Sequence, residues 1–117
     1  MKPEDLRIGN YVFDELGISV IVSSIASFPE FEIYNEMGDY VNDPTPIPLT
    51  EGRLLKLGAK KENGIIIHDR FRLKYFKMYD YWYVTDLDKA YITKVEFVHE
   101  WQNVFAVLNG TELTIKK

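Results

Sequence analysis

A chain of 117 residues holds one domain or two very small ones, and on folding it buries roughly two-thirds of its unfolded surface. Hydrophobic side chains at 46% and charged ones at 27% exclude a disordered chain, and the absence of cysteine excludes disulfides and thiolate metal sites. A net charge of −4 with a pI near 5.2 disfavours a general nucleic-acid binder, and no apolar run approaches the roughly 20 residues that span a bilayer.

Residues 1–5 have no apolar run behind them, so no signal peptide is expected, and the lack of cysteine fits a reducing cytoplasm. The charge is uneven. Residues 1–49 carry two basic and nine acidic side chains, residues 50–80 carry eight and four, and residues 81–117 carry four and five. An acidic front and a basic middle follow, which is an ordinary solvated surface or a face for an acidic partner.

Gly9-Asn10 permits a bend before a first strand, Tyr11-Val12-Phe13. After the turn Asp14–Gly17, the β-branched run from Ile18 to Ile25 reads as a second strand. Ile18, Val20 and Val22 share one face and Ile21 lies opposite, so this strand is buried on both sides or bulged. A third strand is expected at Phe31–Tyr34, with Phe31 and Ile33 inward, and a short one at Tyr40-Val41. Short strands with tight turns predict a small SH3-like barrel or curled sheet over residues 1–45. Prolines 44, 46 and 48 then impose an extended connector.

Residues 46–117 form the second predicted part, or the two are one compact domain. Thr50 caps a short helix, Glu51–Leu57, whose leucines 54, 55 and 57 supply a buried side and which Gly58 ends. Asn63-Gly64 is a strong two-residue hairpin signal between Ala59–Glu62 and Ile65–His68. In Phe71–Tyr75 apolar and basic residues alternate, so Arg72 and Lys74 face away from Phe71, Leu73 and Tyr75. Strand Tyr81–Thr85 continues an antiparallel meander, and Tyr91–Val95 is its last strand or the approach to a helix. Val98, Trp101, Phe105 and Leu108, widened by Val104, form one stripe of a helix that Asn109-Gly110 stops. Glu96 and Glu100 suit its positive end. This helix is expected to lie on the aromatic meander, and Thr111–Ile115 to add a short edge strand. The predicted class is α+β.

Chemistry-bearing motifs are few. Glu96 and His99 have the Glu-x-x-His spacing of a metal ligand pair on a helix, but it occurs once, where di-metal bundles need it twice. His68 is the only other histidine. Asp86 and Asp88 read as a turn rather than an acid–base pair, Ser23-Ser24 have no partnered His–Asp logic, and no phosphate-binding glycine loop is present. No catalytic, cofactor or metal residue is assigned.

Leu6–Val12, then Pro46–Glu51 with Leu54–Gly58, then Phe97–Asn103 leading to Ala106, Leu108, Gly110 and Glu112–Ile115, together resemble a family of small proteins encoded in prophages and mobile elements of gut anaerobic bacteria. The chain departs from that pattern at Gly52-Arg53 and at Ala59. The family has no assigned activity, so the resemblance implies a genomic setting and carries over no functional residue.

The strongest remaining signal lies at residues 70–83. Arg70, Arg72, Lys74 and Lys77 interleave with Tyr79, Tyr81 and Tyr83, beside Tyr75, Phe76 and Trp82. Exposed tyrosine and arginine are what interface centres favour. Basic groups beside stacking rings also serve single-strand binders. The expectation is a non-enzymatic accessory protein acting as a protein–protein interaction module, its partner another protein or a second copy of itself. Single-stranded nucleic acid binding through hairpin 71–83 is the alternative, set against the net acidic charge, and charge mimicry by the acidic front is a further reading.

Overall fold

The structure is a computed structural model that describes residues 6–26, 32–110 and Leu113. The expected third-strand residue Phe31 and most of the expected edge strand lie outside the described residues. The chain forms two compact units: residues 6–48 with 97–110, and residues 49–96 with Leu113. Each carries one antiparallel sheet, which is the expected α+β class. Among the described residues no helix is long and apolar enough to cross a membrane.

The first unit holds β1 (Tyr11–Phe13), β2 (Ser19–Ala26), β3 (Glu32–Asn35) and β4 (Thr45–Pro46), in the spatial order β3-β2-β1-β4. No ladder joins β3 to β4 among the described residues, so the sheet does not close into the SH3-like barrel that its turns suggested. Part of the expected proline connector is strand: Pro46 pairs with Val12 on the outermost strand, where a missing N–H costs little. The register of β2 shifts between Val22 and Ser24, so this strand is bulged. Leu6, Val12, Val20, Val22, Ile33 and Val41 form the core.

Helix α2 (Val98–Asn109) belongs to this unit. Its polar side chains tie it to the N-terminal segment, a partner that the apolar stripe did not name. Gln102 Oε1 accepts the Tyr11 N–H at 2.9 Å, and Gln102 Nε2 donates to the Gly9 carbonyl at 3.0 Å. Asn10 Nδ2 donates to Asn103 Oδ1 at 2.9 Å. The stripe is therefore rotated: Val98, His99, Trp101, Gln102 and Phe105 are buried, while Leu108 is 39% exposed. A buried amide is stable only when bonded, and Gln102 meets that condition. Glu100 Oε1 accepts the Phe97 N–H at the helix start, and Gly110, at φ 73°, closes the end through Ala106.

The second unit holds α1 (Glu51–Lys56) and a meander of β5 (Lys60–Glu62), β6 (Ile65–His68), β7 (Phe71–Phe76), β8 (Tyr81–Asp86) and β9 (Tyr91–Val95), hydrogen-bonded in sequence order. Thr50 Oγ1 accepts the Arg53 N–H, as the capping signal predicts. Leu54 and Leu57 are buried, but Leu55 is 42% exposed, because three neighbouring leucines cannot share one helix face. Asn63 and Gly64 both take positive φ, the geometry of the expected hairpin turn. One sheet face is buried through Ile66, His68, Phe71, Leu73, Trp82, Val84 and Val95. The indole of Trp82 donates to the Leu49 carbonyl at 2.8 Å.

Candidate binding face of the second sheet

Strand alternation divides hairpin 71–83 into two surfaces. Phe71, Leu73 and Trp82 point to the buried face, and Tyr75 lies 5.3 Å from the Trp82 ring. Arg72, Lys74 and Phe76 point the other way. The register sets them opposite Thr85, Tyr83 and Tyr81 of β8. Tyr83 in turn faces Lys94 of β9. The register then shifts, so Thr85 faces Tyr91. This extra residue turns Tyr91 onto the same face, where its ring lies 5.6 Å from that of Tyr83.

The rings form a connected array. Phe76 meets Tyr83 edge-on at 4.3 Å, Tyr83 meets Tyr81 at 5.0 Å, and Tyr81 stacks on Tyr79 at 5.6 Å and 23°. The Tyr81 and Tyr83 hydroxyls are hydrogen-bonded at 2.9 Å. That bond, and secondarily desolvation, push the Tyr81 hydroxyl up to about 12 from its ordinary value. Lys94 Nζ lies 4.9 Å from the centre of the Tyr81 ring, and Lys74 Nζ lies 5.7 Å from that of Phe76.

Beside this array lies an open cleft of about 390 Å³, floored by Ile65 and Phe76 and edged by Arg72, Lys74, Tyr83, Thr85 and Lys89. The side-chain nitrogens of Arg72, Lys74, Lys89 and Lys94 have no hydrogen-bonding or ion-pair partner among the described residues. Arg72 Nε is moreover closed off from water. Leaving such a donor unpaired costs about 1–3 kcal/mol. The register places one strand carboxylate on this face, Glu62, opposite Ile65 on the outermost strand β5.

The residues singled out in the sequence separate here. Arg72, Lys74, Tyr79, Tyr81 and Tyr83 come together. Arg70 lies in the β6–β7 turn with its guanidinium 5.5 Å from the ring of Phe71, a residue of the buried face. Lys77 is exposed in the β7–β8 turn. Sequence reasoning passed over Thr85, Lys89, Tyr91 and Lys94 as part of this surface. Lys89 follows from its turn, where it holds φ 68°, and the others follow only from cross-strand pairing.

The remaining motifs have local duties. Asp86 Oδ1 accepts the Asp88 and Ala90 N–H groups and closes the β8–β9 turn. Glu100 is used at the start of α2, and the His99 ring stacks 6.0 Å from Phe97. Among the described residues no group of three or more His, Asp or Glu side chains converges as a metal ion would need. No protein-family model, curated protein or solved structure matches the chain.

Proposed function

We propose that this chain is a non-enzymatic binding module, a phage or mobile-element accessory protein acting in the cytoplasm, and that its partner docks on the outer face of β7, β8 and β9. One observation carries the reading. Arg72, Lys74 and Lys89 around an open cleft have no hydrogen-bonding or ion-pair partner among the described residues, beside a row of tyrosines, whereas Gln102, Asp86 and Glu100 are all used by the fold. Tyrosine and arginine concentrate binding energy at interface centres: tyrosine buries much area with few rotamers to lose, and arginine makes forked, charge-assisted bonds.

The partner expected first is a protein with an acidic surface. A second copy of the chain is included, since residues 1–48 with 97–112 carry two basic and eleven acidic side chains. A single-stranded nucleic acid is the second reading, favoured by the stacked pair Tyr79 and Tyr81. The test is recovery of partners from host lysate by the tagged protein and by a Lys74→Glu, Lys94→Glu variant, with and without nuclease. A partner held by the natural chain and lost by the variant supports the proposal. A partner held equally by both places docking elsewhere.

A further inference from the structure

We infer that the cleft beside Arg72 is a phosphodiester subsite and that the outer face of the second sheet takes a short single strand of nucleic acid. The inference rests on the proposed docking face and names the chemistry of what docks there.

Three features converge on this ligand. The first is charge. Arg72, Lys74 and Lys89 edge one cleft without a hydrogen-bonding or ion-pair partner among the described residues, and among those residues the one strand carboxylate of this face stands on β5, three strands from β8. An anion entering the cleft meets the charged guanidinium that lines it, and arginine with phosphate makes a charge-assisted, forked bond. The second is the rings. Tyr83 and Phe76 border the cleft, and Tyr81, Tyr79 and Tyr91 continue from it across the sheet. A base presents a flat π-face wherever its phosphate is held, and stacking on such rings needs no particular sequence. The third is preorganisation. The bond between the Tyr81 and Tyr83 hydroxyls and the lysine over Tyr81 hold the platform in place, so little side-chain freedom is lost on binding. An acidic peptide would satisfy the cations too, but it brings no flat π-face at each anionic unit, as a nucleotide does. The cleft volume of about 390 Å³ falls in the range of sites for one small ligand unit, which suits a nucleotide rather than a duplex groove.

The acidic remainder of the chain weakens long-range attraction, so binding should be modest and steep in salt. The experiment is fluorescence anisotropy with labelled single-stranded DNA and RNA of about 12 nucleotides, within the span that single small folds cover. Unlabelled duplex and polyglutamate serve as competitors, and far-ultraviolet dichroism confirms that each variant is folded. The expected result is single-strand binding that duplex competes for poorly. Arg72→Ala should weaken it about tenfold, and Tyr81→Ala about tenfold through lost stacking. Lys89→Gln should lower the slope of log affinity against log salt by about 0.7, one phosphate contact fewer.

Strand binding that survives both Arg72→Ala and Tyr81→Ala unchanged overturns the inference. So does the absence of strand binding at low salt. If polyglutamate then binds and Arg72→Ala abolishes that binding, the docking face stands and only the ligand class is wrong. If neither probe binds, the docking face loses its charge argument as well.

Discussion

The amide of Gln102 in the first unit and the Nε of Arg72 in the second are treated in opposite ways. In the first, Gln102 is 1% exposed and its amide is used at both ends, by Tyr11 and by Gly9. In the second, Arg72 Nε is shut off from water and has no hydrogen-bond partner among the described residues. The charges diverge too: the first unit carries two basic and eleven acidic side chains, the second, including residues 113–117, twelve basic and seven acidic. A buried polar group that is satisfied within the chain serves the fold. One that is left unsatisfied, among like charges and at the edge of a cleft, is poised for something from outside.

Substitutions can break this contrast, beginning with the core that both readings assume. Trp101 is fully buried and its ring lies 5.6 Å from Phe105, so Trp101→Ala should destabilise the protein by about 3–5 kcal/mol in denaturant unfolding. A near-neutral result would remove α2 from the core. Gln102→Leu should cost about 2–3 kcal/mol, because the Tyr11 N–H and the Gly9 carbonyl lose their partner in a dry site. Arg72→Leu should do the reverse. It removes an unpaired donor, so stability should stay level or rise by up to about 1 kcal/mol while ligand affinity falls. A loss of stability as large as that of Gln102→Leu would make Arg72 a structural residue and erase the contrast.

The smallest effect concerns alkaline pH. The Tyr81 hydroxyl is raised from 10.0 to about 12 in the folded protein, so its neutral form is favoured there. The folded state then binds more protons than the unfolded state between these values. The contribution to stability is complete below pH 10 and is lost as pH rises through about 12. Tyr83→Phe removes the partner hydroxyl, and ultraviolet titration should show the Tyr81 hydroxyl ionising closer to 10. An unchanged high titration would mean that the pair is not bonded in solution.

Local signals in the chain were legible, because turns and caps depend on few neighbours. Asn63-Gly64, Thr50 and Gly110 act as their residue types dictate. The alternation of Phe71 to Lys74 also gave both faces of β7. What sequence reasoning missed depends on pairing at long range. An apolar stripe on α2 says that the helix needs a partner, not which segment supplies it, and the deciding residue is Gln102, which the stripe does not include. The extent of the outer face was hidden for the same reason. Lys94 and Tyr91 join Tyr83 only through the β8–β9 register and its shift. The SH3-like closure failed because short strands and tight turns fix local bends but not whether the outermost strands meet.

The most direct test is an NMR titration of the isotope-labelled protein with the short single strand, following side-chain and backbone signals together. The account predicts that the Arg72 Nε–H signal and the backbone signals of Lys74, Tyr81, Tyr83 and Lys89 move, while the Gln102 side-chain amide stays fixed. Shifts centred on Gln102 and the first sheet, with Arg72 unmoved, would contradict it.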